Sequence, residues 1–394
     1  MKMDSTAPSG GATGPLSGLR VLELGGIGPG PFAAMLLADL GADVVRVDRA
    51  DRPTIFPGTP RQNLLHRGKR SVDIDLKSPQ GLASARALVA RADVLVEGFR
   101  PGVAERLGLG PSECLGLNTA LVYGRMTGWG QTGPLAATAG HDLNYIGVTG
   151  ALHAIGAAGG PPQIPLNLLG DFAGGGTYLV IGVLAALREA ARTGHGQVVD
   201  AAITDGVCHL LAGTHARVAS GTWADERGVN LLDGGAPFYS VYETSDGRHM
   251  AVGAIEPQFY RAFVAALGVP ADPARQNDRS TWPALRERIA AAFRSRTQSE
   301  WTEVFAGTDS CVTPVRSLFE AVSDPQIAAR GSVVVADGML QPGRAPRFSA
   351  HDDTRPATAP EPGEHTADVF RDWLGACADH RDQGSGLPQS RTRG

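Results

Sequence analysis

Short apolar runs alternate with helical patterns over the first third of this 394-residue chain. The runs predict strands and the stretches between them predict helices, the strands at residues 19–24, 42–47, 71–76, 93–97 and 121–126 and the helices at 32–40 and 79–91. Parallel strands need crossover connections, so this alternation predicts a sheet with helices on both faces. The sequence therefore predicts an α/β fold whose large domain carries a Rossmann-like parallel sheet.

The pattern changes after residue 231. Apolar runs at 239–243 and 249–253 flank Ser245-Asp246-Gly247, which predicts a β-hairpin, and helical patterns follow. A smaller α+β domain is therefore predicted. The predicted division is a disordered tail at 1–13, a large domain at 14–200 that resumes at 326–378, a helical linker at 201–231, the small domain at 232–325 and a disordered tail at 379–394.

Composition excludes several classes of protein. The net charge of −4 gives no basic field for nucleic acid, and the four cysteines are scattered without a metal-ligand spacing, so no metal site is expected. Residues 1–14 lack the apolar core of a signal peptide. The longest apolar run, 179–187, is too short to cross a membrane, so a cytoplasmic protein is expected.

Two glycine-rich segments match nucleotide-binding motifs only in part. Residues 128–133 fit the spacing GxGxxG, but Pro134 follows and no helix is predicted there. Residues 26–31 end in Pro31, where the third glycine would be. The dinucleotide fingerprint needs a strand before it, a helix after it and room at all three glycines. A nicotinamide cofactor and a dehydrogenase activity are therefore disfavoured.

Arginines follow two of the predicted strands, at the edge where α/β folds bind ligands. Arg49 follows the second strand and Arg100 follows the fourth. A guanidinium group suits phosphate oxygens, so Arg49 is predicted to bind a phosphate. A solvated surface position is the alternative interpretation.

His141 and Asp171 each lie in a glycine-rich segment with few other ionisable groups. One base is neutral and the other anionic near pH 7, so the pair could move a proton onto either face of a carbon beside a carbonyl. The alternatives are a structural histidine and an aspartate that caps a helix over 174–192. Amides at such a helix start would also stabilise an oxyanion, so the cap and catalysis are compatible.

Motifs along residues 14–350 resemble the family III CoA-transferase (CaiB/BaiF) superfamily and, within it, the α-methylacyl-CoA racemases. The matching segments are residues 15–19, 28–31, 40–46, 67–71, 98–102, 128–134, 139–145 and 170–172. Family III transferases use the aspartate of a Gly-Asp motif as a nucleophile, and racemases add a histidine in an Ala-Gly-His-Asp motif. This chain has both residues, as Asp171 and His141.

The resemblance also implies an interlocked homodimer and further site residues. Asn167 and Glu256 would support the catalytic pair by hydrogen bonding, and the glutamate would come from the partner subunit. The CoA contacts that the motifs imply are Arg49, Asp73, Ile74, Asp75, Leu76, Gly98, Phe99, Arg100, Arg106, Gly140, Asp142, Leu143, Asn144 and Tyr145. The chain departs from the racemases in a longer loop over 52–62 and in having only six methionines. The identity of the acyl chain of the substrate therefore stays open.

These residues predict a cofactor-independent racemase that interconverts (R)- and (S)-2-methylacyl-CoA thioesters through an enolate. Backbone N–H groups near Asp171 are expected to hold the enolate oxygen. CoA enters as part of the substrate, and neither nucleic acid nor a membrane is an expected partner. The alternatives are a CoA-transferase with Asp171 as nucleophile and a catalytically inactive acyl-CoA-binding protein.

Overall fold

The computed structural model describes residues 14–49, 57–351 and 357–375. The predicted tails at 1–13 and 379–394 and residues 52–56 of the predicted longer loop lie outside these residues. The strands are β1 Arg20–Leu24, β2 Asp43–Asp48, β3 Arg70–Asp73, β4 Val94–Glu97, β5 Val122–Thr127, β6 Val198–Ala202, β7 Tyr239–Glu243, β8 His249–Gly253, β9 Val312–Pro314, β10 Val333–Ala336 and β11 Met339–Pro342.

The helices carry labels in chain order. They are α1 Pro29–Asp39, α2 Pro79–Val89, α3 Val103–Arg106, α4 Pro111–Leu117, α5 Asp142–Val148, α6 Ala151–Ala154, α7 Thr177–Thr193, α8 Ile203–Leu210, α9 Ala212–Ala219, α10 Pro257–Leu267, α11 Trp282–Phe293, α12 Gln298–Phe305, α13 Leu318–Ala321, α14 Pro325–Arg330 and α15 Thr366–Leu374. A π-helical segment, Leu168–Gly176, precedes α7.

The chain contacts divide it into two compact units. The first contains the described residues of 1–127, 176–201 and 346–394, and the second contains 128–175 and 202–345. Residues 128–175 thus group with the second unit, whereas the sequence placed them within the large domain. The domain boundaries given above stay a prediction.

The first unit is built on a six-stranded sheet in the order β3-β2-β1-β4-β5-β6. The pairs β1–β2, β1–β4, β2–β3 and β4–β5 are parallel. This order reverses direction between β1 and β4, which is the position where doubly wound sheets bind ligands at the carboxyl ends of their strands. The predicted α/β fold with a Rossmann-like sheet is confirmed.

One face of this sheet is apolar and the other holds buried charges. Leu22, Val45 and Val72 contribute to the core that α2 and α15 cover. On the opposite face Glu23 pairs in register with Arg46, and both are buried. The Lys69 ammonium group donates to Glu23 Oε2 at 2.6 Å and to the Pro31 carbonyl at 3.0 Å, and so attaches the start of α1 to the sheet.

The second unit holds the predicted hairpin. Strands β7, β8 and β9 form an antiparallel sheet, and β10 pairs with β11. Aromatic side chains fill the core between the three-stranded sheet and the helices α10 to α12; Phe293 lies 5.4 Å from Tyr242 and 5.4 Å from Trp301, measured between ring centroids. This mixture of strands and helices is the predicted α+β arrangement.

Two predictions for the segment 168–202 were wrong. Residues 198–202 form an edge strand, β6, whose last two residues lie in the segment 201–231 that the sequence predicted as a helical linker. The apolar run at 179–187 belongs to a helix over Leu168–Thr193, which by length and composition alone is able to cross a membrane. Its α7 part packs on β5 and buries Leu179 and Val183 completely.

Candidate active site

His141 lies where an extended segment turns into α5. It is the residue before the helix, and its backbone N–H donates to the Asn144 side chain at 3.0 Å. The Tyr145 hydroxyl donates to the Gly140 carbonyl, and the Tyr145 ring meets Trp129 edge to face at 4.7 Å. A Cβ atom at Gly140 would lie 2.7 Å from the Tyr145 ring, so glycine lets this ring close against the segment that carries His141.

Asp171 lies inside the π-helical segment, one turn after Asn167. The Asn167 amide nitrogen donates to Asp171 Oδ2 at 3.2 Å, and the backbone N–H of Asp171 donates to Asp142 Oδ1 at 2.6 Å. The prediction that Asp171 caps a helix over 174–192 was wrong, because the helical turns begin at Leu168. The backbone N–H of Asp171 is also already bonded, so it is not the donor for an enolate oxygen.

The carboxyl group of Asp171 is a stronger base than an ordinary aspartate. Burial raises its pKa, and the Asn167 hydrogen bond acts in the opposite direction. The negative charge of Asp142 raises the pKa further, and His141 lowers it. A raised pKa brings a carboxyl group closer to the range in which it both accepts and returns a proton near neutral pH.

The backbone is strained next to this pair. Leu166 has φ of 59°, in the left-handed region that a leucine rarely adopts, and its side chain is exposed. Pro165 precedes it and Asn167 follows it. Such strain concentrates at functional sites. Here the strained residue, Leu166, directly precedes Asn167, which donates a hydrogen bond to Asp171.

Three of the four predicted catalytic residues are linked in one local structure. Asn167 bonds to Asp171, and Asp171 bonds to Asp142, the residue next to His141. Glu256 lies at the start of α10, where its charge helps to raise the pKa of the Cys311 thiol. Among the residues that the structure describes, no hydrogen bond or ion pair joins the Glu256 side chain to the other three.

The predicted CoA contacts of the first unit follow the carboxyl ends of β2, β3 and β4. Arg49 comes directly after β2 and forms an ion pair with Asp75 at 3.6 Å. Asp73 ends β3, and its backbone N–H donates to Thr366 Oγ1 at 3.0 Å. The side chain of Ile74 is buried and Leu76 packs on the core, so neither presents a free polar group.

The remaining contacts of this unit follow β4. Residues 98–100 form its terminal loop, and Arg106 ends the short helix α3. In the second unit Gly140, Asp142, Leu143, Asn144 and Tyr145 surround His141 in sequence. The side chain of Leu143 is exposed and therefore accessible to a ligand, whereas the side chain of Asp142 is buried.

Sequence reasoning missed a buried ion network under the loop after β4. Glu97 is fully buried; its Oε2 accepts the Phe99 N–H at 2.7 Å and its Oε1 accepts from Arg125 at 2.9 Å. Arg125 also donates to Glu105 at 2.9 Å. The signal was a glutamate at the end of the apolar strand Val-Leu-Val-Glu, since a charge in a buried strand needs a partner.

Among the described residues, no group of three or more His, Cys, Asp or Glu side chains is placed to hold a metal ion. The ionisable groups of the site are a histidine and carboxylates held by amides. This arrangement suits proton transfer or nucleophilic attack.

The model of CoA-transferase family III matches residues 16–366, and the chain belongs to this family. It is 43% identical to the alpha-methylacyl-CoA racemase of Mus musculus over 361 residues, which are 91% of this chain and 93% of the relative. The Homo sapiens racemase is also 43% identical, over 91% of this chain and 93% of its own. A crystal structure of a CaiB/BaiF family protein from Brucella suis matches with a TM-score of 0.77 and 29% identity, covering 92% of this chain and all of the other. The family inferred from the motifs is confirmed.

Proposed function

We propose that the protein is a racemase that interconverts (R)- and (S)-2-methylacyl-CoA thioesters by α-proton removal and return. The observation that carries this proposal is the local structure that joins His141, Asp171 and Asn167. In this local structure Asp142, the residue after His141, accepts the backbone N–H of Asp171, Asn167 donates to the Asp171 carboxylate, and burial raises the pKa of that carboxyl group. The 43% identity to two alpha-methylacyl-CoA racemases supports the same reaction.

The thioester carbonyl acidifies the hydrogen on the α-carbon. His141 in its neutral form removes this proton from one enantiomer, which gives a planar enolate, and Asp171 in its protonated form delivers its own proton to the opposite face. The roles reverse for the other enantiomer. The Asn167 amide holds one oxygen of the Asp171 carboxylate, so that the reacting oxygen keeps its orientation.

The enolate oxygen needs hydrogen-bond donors where its negative charge develops. We assign this role to the first backbone N–H groups of α5, which follow His141 directly. The backbone N–H of Asp142 has no acceptor among the described residues. The reaction then requires no cofactor beyond the CoA of the substrate.

The CoA moiety would lie along the sheet edge that carries Arg49, Asp73–Leu76, Gly98–Arg100 and Arg106. We propose that Arg49 meets a phosphate group, since it follows β2 at the ligand-binding edge of the sheet and a guanidinium group suits phosphate oxygens; it also forms an ion pair with Asp75 at 3.6 Å. The side chains of both are partly exposed, so a phosphate group can compete for this arginine.

We propose that the working protein is an interlocked homodimer in the cytoplasm, in which Glu256 of one chain serves the other chain's catalytic pair. Large apolar side chains are exposed on the chain by itself. In the first unit Ile181 on α7 is 56% exposed, and in the second Val148 and Val218 are 64% and 55% exposed. These side chains are available to a partner chain in the proposed dimer.

The test is hydrogen exchange at C2 of a 2-methylacyl-CoA in D₂O, without an acceptor acid. Wild-type protein is expected to introduce deuterium and to destroy optical purity together. His141→Ala is expected to lose this activity by about 10²-fold or more while CoA binding, measured by calorimetry, stays intact. Retained turnover in His141→Ala would contradict the assignment.

A CoA-transferase is the second candidate, and the family membership favours it. Its Asp171 carboxylate would attack the thioester carbonyl and expel CoA thiolate, which gives a mixed anhydride. The thiolate would then attack the Asp171 carbonyl and release the donor carboxylate, which leaves an aspartyl-CoA thioester. An acceptor carboxylate would attack this thioester to form a second anhydride, and the released thiolate would attack the acceptor's carbonyl, so that CoA ends on the acceptor and Asp171 is free again. The same experiment separates the two: no exchange in D₂O, with CoA passing to an added carboxylate, would establish the transferase.

A further inference from the structure

Asp142 is the residue that connects the two catalytic segments. It follows His141 in the chain, and its Oδ1 accepts the backbone N–H of Asp171 at 2.6 Å. The residue is only 7% exposed. A short hydrogen bond from a buried carboxylate to a backbone amide fixes the main chain at Asp171 relative to the start of α5.

The neighbouring backbone is shaped to allow this bond. A Cβ atom at Gly170 would lie 2.3 Å from Asp142 Oδ1 and 3.0 Å from the Ile146 side chain, which is fully buried. Only glycine lets the π-helical segment come this close to α5. The close approach of Asp142 therefore explains why a glycine precedes Asp171.

The hydrogen bond alone does not explain the charge. The second oxygen, Asp142 Oδ2, is buried and has no hydrogen-bond partner among the residues that the structure describes. Burying an unpaired carboxylate oxygen costs free energy, and an asparagine would supply the same acceptor to Asp171 without that cost. We therefore expect the charge of Asp142 to have a function, and it acts on the Asp171 carboxyl group, whose pKa it raises.

We propose that Asp142 is a positioning residue that fixes the Asp171 backbone beside His141 and sets a second negative charge against the Asp171 carboxylate. This inference rests on the proposed racemase function. The titratable groups that act on Asp171 in the second unit are Asp142, which raises its pKa, and His141, which lowers it. Asp142 thereby makes Asp171 a better proton acceptor than burial alone would.

Two other roles for Asp142 are open to the same test. A carboxylate in the first turn of α5 also stabilises the helix dipole, which would affect thermal stability and not the titration of Asp171. A direct CoA contact, which the family resemblance implied, would affect binding of the substrate. The three roles differ in what a substitution changes.

The experiment compares Asp142→Asn with Asp142→Ala. The asparagine substitution keeps the acceptor and removes the charge, and the alanine substitution removes both. The Asp171 carboxyl group is titrated by NMR in protein labelled with ¹³C at aspartate carboxyls, with Asp171→Asn to assign the signal. Asp171 is expected to titrate at lower pH in Asp142→Asn than in wild type. The matched control is Asp225→Asn, which removes a carboxylate that is 92% exposed and is expected to leave that titration unchanged.

Steady-state kinetics give the second measurement. Asp142→Ala is expected to lower kcat by roughly 10- to 100-fold with KM within about twofold, because a misplaced base loses rate and not substrate affinity. Asp142→Asn is expected to lose less than Asp142→Ala. An unchanged Asp171 titration in Asp142→Asn would overturn the proposal, and so would a rise in KM at unchanged kcat. If wild type exchanges no proton, the racemase proposal fails, and the titration still tests the charge effect.

Discussion

Because Gly170 has no side chain, the π-helical segment can pack directly against Asp142. The Cβ atom of an alanine there would lie 2.3 Å from Asp142 Oδ1 and 2.8 Å from its carboxyl carbon. Real Cβ atoms do not approach other atoms this closely, so either α5 or the π-helical segment must move. Because α5 follows His141 and the segment carries Asp171, any such movement changes the relation between the two bases.

Gly170→Ala is therefore expected to lower kcat for proton exchange by roughly 10²-fold and to destabilise the fold by about 1–3 kcal/mol. Exchange at C2 in D₂O and thermal unfolding measure the two effects. The control is Gly213→Ala in α9, where a Cβ atom meets nothing within 4 Å. That change is expected to leave activity intact and to raise helix stability by up to about 1 kcal/mol. Equal activity in both variants would contradict the steric argument.

His66 carries a prediction for the pH dependence of stability. It lies in a 3₁₀ turn that packs on α1, and its pKa is lowered to about 2 by burial first and then by Arg46 and Lys69. The unfolded chain binds a proton at this residue below its ordinary pKa of 6.5, and the folded chain does not. The free energy of unfolding therefore falls as the pH drops below 6.5, by up to about 1.4 kcal/mol per pH unit from this one group.

His66→Gln removes that proton-binding site. Chemical unfolding of the variant at pH 7 and pH 5 is expected to show a smaller loss of stability than wild type over the same interval. The comparison uses His195→Gln as control, since His195 is exposed in the turn after α7. A loss of stability in His66→Gln as steep as that of wild type would sink the assignment.

At the scale of elements, the hydrophobic periodicity of the sequence predicted the helices and strands that are regular and buried. The strands β1 to β5 and the helices α1 and α2 lie within a few residues of their predicted bounds, because each has an apolar run or stripe in the core. The strand β6 was missed since its residues Val198, Val199 and Asp200 are not buried and contain a charge. An edge strand of this kind is specified by its neighbour β5 and not by its own pattern.

The π-helical segment could not be predicted from local sequence either. A Cβ atom at Gly206 in α8 would lie 1.8 Å from the Gly174 carbonyl oxygen. Among the glycines of 174–176, Gly174 therefore serves a close approach to another helix, which is a tertiary contact. Read alone, they favour a helix start, and this is why Asp171 was interpreted as a cap.

The loop after β4 gives a prediction at this scale. Glu97 fixes this loop through the Phe99 N–H, and burial raises the pKa of Glu97 against the influence of that bond and of Arg125. In Glu97→Gln, a single side-chain oxygen remains to accept from both the Phe99 N–H and the Arg125 guanidinium group. KM for acyl-CoA is expected to rise about tenfold with kcat within about twofold, since the loop binds CoA in the proposed complex and does no chemistry.

Steady-state kinetics with Glu113→Gln as control measure this effect. Glu113 is exposed in the first turn of α4 and has no part in the network around Glu97. A lowered kcat at unchanged KM in Glu97→Gln would place the network under the catalytic groups and contradict its role in CoA binding.

At the scale of the whole molecule, the sequence predicted the fold class and the family but only part of the site. The parallel sheet follows from alternation, and the family follows from motifs in order. His141, Asp171 and Asn167 are close in sequence, so local structure joins them. Glu256 lies 85 residues after Asp171, and its bond to the pair was implied by resemblance. Among the described residues of the single chain, that bond is not formed. An experiment must therefore test whether Glu256 reaches the pair from a partner chain.

Complementation between two inactive variants tests it. His141→Ala and Glu256→Ala chains are expressed together with different affinity tags, and the mixed dimer is isolated through both tags. If Glu256 serves the partner's pair, one site of the mixed dimer holds both substitutions and the other holds neither, so about half of wild-type exchange is expected. If Glu256 serves its own chain, each site holds one substitution and the mixed dimer stays as inactive as either variant alone. A mixed dimer of wild-type and His141→Ala chains gives the reference for one intact site. A monomer in light scattering would rule out the shared site altogether, because a glutamate from a partner requires a partner.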